Sequence, residues 1–245
     1  MASMRACSLC LGLIFFLSPL ASFAANNSGF YAVAGMALDA HVAHDSGTDF
    51  LDGSLGVTTS NIGRGKLGAS FGLGYQFALR EPFVVMLEAG KDLGTDMSLS
   101  TKTVLVGSSS FFSTLSRQWE LNRDWYIAIK PGMHINPSTL VYLSLAHHPG
   151  SAHLSSDLHI DCLIVDSCLD NRQRTGSTGM QGTGIGAGMQ SALTDKLFFR
   201  VEVERIDYGR ININFSDPVT SPDGFALQSL KLNEYLGRIS LGYRF

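Results

Sequence analysis

The chain has 245 residues, 45% of them hydrophobic and only 16% charged, with 26 glycines and a formal charge of −3. That length fits a single all-β domain, and the acidic balance argues against nucleic acid as a partner. Beyond the N-terminal segment no apolar run reaches the roughly 20 residues of a spanning helix, so a membrane protein of this composition has one other way to satisfy its backbone, a closed barrel of strands.

Residues 1–24 read as an export signal. Arg5 supplies the positive start, Leu9 to Leu20 a short apolar core broken by Pro19, and Ser22-Phe23-Ala24 the small residues before cleavage at Ala25. Cys10 follows Leu9 too early for a lipoprotein signal. Residues 25–245 form the expected mature domain. Cleavage removes Cys7 and Cys10 and leaves Cys162 and Cys168 in a polar stretch. An exported chain meets an oxidising compartment, so Cys162 and Cys168 are read as a disulfide that closes a small loop.

The mature chain carries strict period-2 alternation, the signature of barrel strands. Phe30, Ala32, Ala34, Met36 and Leu38 share one face of the first segment. In the second, Leu67, Ala69, Phe71, Leu73, Tyr75, Phe77 and Leu79 oppose Gly68, Ser70, Gly72, Gly74, Gln76 and Ala78. Phe83 to Gly90 alternates likewise, as do Trp125 to Ile135, Val141 to Ala146, Gly184 to Leu193, Leu197 to Glu204 and Glu234 to Phe245. A strand places alternate side chains on opposite faces. The large apolar face is assigned to lipid and the small or polar face to a crowded interior. Eight such segments predict an eight-stranded antiparallel up-and-down transmembrane β-barrel.

Turn residues fall at Arg80-Glu81-Pro82, Asn136-Pro137-Ser138 and Thr194-Asp195-Lys196. Long extracellular loops are expected at about 40–65, 92–119, 149–182 and 210–229, since short periplasmic turns and long outer loops are the habit of such barrels. Pro131 sits on the lipid face of the fourth strand and is read as a local bulge. Val104 to Val106 and Phe111-Phe112 either extend a hairpin above the membrane or pack inside the loop.

The inward faces carry Glu88, Lys130, Arg200, Glu202, Glu204, Glu234 and Arg238. Eight strands leave an interior just wide enough for side chains, and buried charges must pair. These seven are expected to form a lumen charge network that plugs the barrel; the alternative is a narrow gated channel. Gly182, Gly184, Gly186 and Gly188 lack the strand–turn–helix setting of a nucleotide loop and are read as small lumen residues. His41 and His44 fall in the first outer loop, and His147, His148, His153 and His159 at or within the third, near Asp157, Asp161 and Asp166. They lack metal-ligand spacing and are read as solvated loop residues; no metal and no cofactor is assigned. Arg64, Lys66, Arg117, Arg123, Arg205 and Arg210 lie near the outer strand ends, where they suit either lipopolysaccharide phosphates or ordinary loop charge. Trp125 and Tyr243 are placed in the interfacial aromatic girdles.

Three segments resemble the small outer-membrane barrels of the OmpA/OmpX-like and opacity-protein-like (porin-like) family. They are Gly29-Phe30-Tyr31-Ala32-Val33-Ala34-Gly35, the pair Ile129-Lys130-Pro131-Gly132-Met133 and Asn136-Pro137-Ser138-Thr139-Leu140-Val141-Tyr142, and the ending Ile239-Ser240-Leu241-Gly242-Tyr243-Arg244-Phe245. The resemblance implies residence in the Gram-negative outer membrane among its lipids and lipopolysaccharide. It implies that Tyr243 and Phe245 carry the C-terminal signal read by the barrel-assembly machinery. It also implies an adhesin-like structural or surface-interaction role, with a host surface ligand met through the loops; a small gated porin is the alternative. His153-Leu154-Ser155 resembles the His-x-Ser pair of outer-membrane lipid A 3-O-deacylases but lacks a matching context, so no enzyme is expected.

Overall fold

The computed structural model describes residues 28–51, 54–94, 96–106, 111–162, 170–216 and 225–245. The expected signal peptide and Cys168, hence the 162–168 disulfide, lie outside the described residues. Ten strands form: β1 (Gly29–Leu51), β2 (Ser54–Ala78), β3 (Phe83–Leu93), β4 (Met97–Val106), β5 (Phe111–Arg123), β6 (Tyr126–Asn136), β7 (Thr139–Cys162), β8 (Asp170–Ala192), β9 (Leu197–Ser216) and β10 (Phe225–Arg244).

Eight of them close a barrel in the order β7–β6–β3–β2–β1–β10–β9–β8, with β8 returning to β7 and every pair antiparallel. The alternation drives this closure. Phe30, Leu38, Leu73, Leu143, Ile185, Val203 and Leu241 all stand exposed on the outer wall, an apolar band that only lipid satisfies. No helix among the described residues is long and apolar enough to cross a membrane. The short turns close on one side: Phe83 N donates to Arg80 O at 2.8 Å, Ser138 N to Asn136 Oδ1 at 3.0 Å, and Leu197 N to Thr194 Oγ1 at 2.9 Å. Pro131 makes no bulge. Ile129 pairs with Leu145 and Gly132 with Tyr142 in one unchanged register. The missing N–H interrupts the ladder without shifting it, and the irregularity lies between His134 and Asn136.

The long outer segments are built largely of strand. β1, β2, β7 and β8 run 23, 25, 24 and 23 residues, about twice the 9–11 needed to cross a bilayer. β4 and β5 form the hairpin that extends above the membrane, and β5 pairs with the outer half of β7, from Gly150 to Cys162. Beyond the belt the wall parts at two places. β2 pairs with β3 only over Ala69–Ala78, and β8 with β9 only over Thr183–Ala192. The barrel therefore opens into two four-stranded sheets, β4–β5–β7–β8 and β2–β1–β10–β9. Their inward faces share one apolar cluster, with Leu99, Trp119 and Leu154 from the first and Ile211, Ile213, Leu230 and Leu232 from the second. The second parting follows a bulge. Gly209 adopts φ +65°, the register of β9 on β10 shifts between Leu232 and Asn233, and Gly209 N binds Asp207 Oδ1 at 2.8 Å. The extra residue turns β9 from β8 and moves the inward phase from even positions to Ile211 and Ile213.

Candidate functional site

Four layers fill the interior, described from the side of the short turns outward. The first is apolar and aromatic: Tyr31, Val33, Val84, Met86, Leu140, Tyr142 and Phe198. Its rings stand over glycines directly opposite on the neighbouring strand, Tyr31 over Gly74, Tyr142 over Gly188 and Phe198 over Gly242. Tyr126, in the layer above, stands over Gly90 in the same way, and a Cβ there would lie 2.6 Å from its hydroxyl. Glycine is needed at these positions for space; in the Gly184–Gly186–Gly188 string of β8, a Cβ at Gly188 would meet the Tyr142 ring, one at Gly184 the Glu204 carboxylate and one at Gly186 the Val203 carbonyl.

The second layer is ionic and every member is buried. Glu88 accepts from Lys130 Nζ at 2.6 Å, Tyr31 Oη at 2.9 Å, Tyr126 Oη at 3.0 Å and the Arg200 guanidinium. Glu202 accepts from Lys130 at 2.8 Å, Tyr142 Oη at 2.6 Å and Arg238 at 3.0 Å. Arg238 binds Glu204 at 2.6 Å and clasps Asp92 through two nitrogens at 3.1 and 2.8 Å. Glu204 also holds His148 Nε2 at 2.9 Å. Multiple partners on each charge offset the desolvation that a lone buried ion would suffer.

The third layer lies at the seam with the outer sheets. Arg123 Nη2 donates to Asp39 Oδ2 at 2.7 Å, and Nη1 donates to Glu234 Oε1. His41 sits between the two carboxylates, Nε2 2.9 Å from Asp39 and Nδ1 3.8 Å from Glu234. The apolar cluster of the two sheets forms the fourth layer.

Of the seven sequence-assigned lumen charges, six join the second layer and Glu234 stands apart in the third. Sequence reasoning missed Asp39, His41, Asp92, Arg123 and His148. His41 and His148 are not loop residues: both are buried in strands. Extending the β1 alternation two residues, from Ala37 to Asp39 and His41, would have found the first two. Arg123 was hidden because the break at 124–125 reverses the inward parity between β5 and β6. The basic residues placed near the outer strand ends divide. Arg117 and Arg123 are buried, whereas Arg205 and Arg210 are exposed at the outer edge and Lys66 reaches Asp96 O. His153 is exposed and Ser155 half-buried on the outer face of β7, opposite Glu120 and Gln118 of β5. Neither lines a described cavity. Tyr243 and Phe245 face outward with ring centroids 5.3 Å apart.

The outer membrane protein beta-barrel domain family matches residues 7–245. The comparison with curated proteins gave no match. Solved structures similar to this chain include OprG from Pseudomonas aeruginosa, with 15% identity, coverage of 91% of this chain and 99% of that one, and TM-score 0.39. Ail, the attachment invasion locus protein of Yersinia pestis, has 12% identity, coverage of 89% and 99%, and TM-score 0.31. The outer membrane protease OmpT from Escherichia coli has 9% identity, coverage of 88% and 97%, and TM-score 0.35. Likeness at this level assigns no activity.

Proposed function

For a chain that belongs to the outer membrane protein beta-barrel domain family, we propose a non-conducting anchor that holds a rigid two-sheet head outside the Gram-negative envelope as an adhesin-like contact surface. The filled lumen carries this reading. A transport path would have to break the ionic layer around Glu88, Glu202 and Arg238 and then part the apolar cluster around Trp119. Function in such scaffolds resides in what the rigid frame presents outside. The head's outer face offers Gln118, Glu120, His153, Thr175 and Ser177, exposed polar side chains suited to hydrogen bonding with a surface ligand.

The same reading has the chain exported with residues 1–24 removed. Tyr243 and Phe245 are recognised by the assembly machinery, and Lys66, Arg205 and Arg210 meet lipopolysaccharide phosphates. No enzymatic role is proposed. Single-channel recording of the refolded protein in a planar bilayer tests the anchor: a silent barrel is expected, and a steady ion-selective current would replace this reading with a porin. Adhesion of bacteria displaying the protein, compared with bacteria displaying a barrel trimmed of its outer strand halves, tests the head.

A further inference from the structure

The seam layer has a geometry that its ion pairs do not explain. Asp39 and His41 are two residues apart on the inward face of β1, and Glu234 of β10 is the direct cross-strand partner of His41. Two hydrogen-bonded strands therefore fix all three. One potential ligand atom from each lies within 4.8 Å of the others. Ligands at about 2.1 Å from a tetrahedral metal stand about 3.4 Å apart, so a small side-chain adjustment closes the set. Arg123 occupies Asp39 Oδ2 and Glu234 Oε1, which leaves the second oxygen of each carboxylate for an ion.

Five polar atoms here are buried without a hydrogen-bond partner: Arg123 Nε, Tyr208 Oη, Asp39 Oδ1 and both ring nitrogens of His41, a residue only 3% exposed. The 2.9 Å approach of Nε2 to Asp39 Oδ2 does not have hydrogen-bond geometry. Buried orphans of this kind call for a missing ion or water. A cavity of about 10 Å³ adjoins His41, lined by it, Arg123 and Glu234 below and by Met97, Leu121 and Leu232 above. That is room for about one small particle, in apolar surroundings where a charge is felt strongly.

There is also a way in. Where β8 and β9 part, a cleft of about 590 Å³ opens on the outside, lined by Thr178, Gly179, Gln181, Tyr208, Arg210 and Asn212 among others. Tyr208 and Met180 line both this cleft and the inner cavity, so two side chains form the partition between them.

We propose that Asp39, His41 and Glu234 bind a divalent first-row transition-metal ion that enters from the side through the β8–β9 cleft. One imidazole and two carboxylates suit Zn²⁺, Co²⁺, Mn²⁺ or Fe²⁺. Arg123 leaves one carboxylate charge uncompensated, which favours a cation here, and it orients the ligands by holding their outer oxygens.

The test is titration of the refolded detergent-solubilised protein with Zn²⁺ by calorimetry and with Co²⁺ by visible absorption. One ion per chain is expected, with Co²⁺ giving the d–d bands of a low-coordinate site. His41→Ala and Glu234→Gln should each weaken binding by at least about tenfold, while His153→Ala on the outer face leaves it unchanged. Each variant is measured only on the heat-modifiable folded form. Gly179→Trp, which narrows the cleft without touching a ligand, should slow Co²⁺ uptake and leave its end point alone. Absence of Co²⁺ bands in the wild-type protein overturns the proposal, as does Zn²⁺ binding that survives both ligand substitutions or falls equally with His153→Ala. Uptake as fast in Gly179→Trp as in the wild type overturns the lateral route.

Discussion

Glu88 and Arg200 differ in how far each depends on the other, and that asymmetry yields a quantitative prediction. Among the described residues Arg200 has one carboxylate partner, Glu88, and otherwise Gln190 Oε1 at 3.0 Å, Met86 Sδ at 3.8 Å and the rings of Tyr31, Phe198 and Tyr142. Glu88 keeps Lys130, Tyr31 and Tyr126 when Arg200 is removed. Glu88→Leu strands a buried guanidinium, which costs about 3–5 kcal/mol, plus about 1 kcal/mol for each tyrosine hydroxyl that loses its acceptor. The ring faces return about 0.5–2 kcal/mol. The expected loss is therefore about 3–6 kcal/mol for Glu88→Leu, and about 1–3 kcal/mol for Arg200→Leu, whose abandoned partner still accepts three hydrogen bonds. The double variant should recover the cost of the stranded guanidinium, because replacing both members of a buried pair by apolar groups is nearly neutral, and should keep the loss of about 2 kcal/mol from the two tyrosine hydroxyls that still lack an acceptor. Urea titration of refolding into lipid vesicles, followed by tryptophan fluorescence, measures all three and the coupling energy of the cycle. A Glu88→Leu loss under about 1 kcal/mol would refute the reasoning, since it would mean that water solvates Arg200 and that the lumen is open.

Four further outcomes are expected. Gly188→Leu should destabilise by about 1–3 kcal/mol through overpacking against Tyr142, and Tyr142→Ala in the same chain should recover part of that loss in the urea assay. Leu73→Arg, in the middle of the exposed apolar run of β2, should cost about 2–4 kcal/mol in a bilayer, against about 0–1 for Leu67→Arg near the interface. Trp119→Ala removes the largest fully buried side chain and should cost about 3–5 kcal/mol. Its effect should appear as protease sensitivity of the outer strands while the heat-resistant gel form persists. Reduction of the expected Cys162–Cys168 bridge should loosen the outer hairpin without unfolding the barrel, and collapse of the heat-resistant band on reduction would contradict that.

The transmembrane part was legible because lipid favours an apolar residue at every second position, and Leu67 to Leu79 supplies seven in succession, all large but Ala69. The lumen charges in the same segments follow by parity. What was not legible lies above the belt, where the outer strand halves resembled loops. Their alternation is real but its sense is reversed. In β10, Tyr235, Ile239 and Leu241 face out and Glu234, Arg238 and Ser240 face in; farther along, Leu230 and Leu232 face in and Lys231 faces out. In β7, Leu143 and Leu145 face out, and beyond them Ala152 and Leu154 face in with His153 outside. A search for apolar-out strands stops where the solvent changes. Two parity breaks, at Asp124-Trp125 and at Gly209, also require the backbone itself, because one inserted residue flips every side chain after it.

The seam residues follow from that reversal. Within the belt the outside is lipid, so apolar side chains face out and the inward positions are free to be polar. Beyond it the outside is water, so the inward positions must supply the apolar core. Asp39, His41, Arg123 and Glu234 occupy the last polar inward positions before Ala43, Leu121 and Leu232 begin that core. A polar group there has an ionic layer on one side and a dry one on the other, so its hydrogen bonding must be met sideways within its own layer. Arg123 meets part of it. His41 meets none of its own, and an opening to solvent, at the β8–β9 parting, exists because the same change of surroundings lets the wall divide at that height. A ligand-starved histidine and a route to reach it thus have one physical origin, the passage of eight strands from lipid into water.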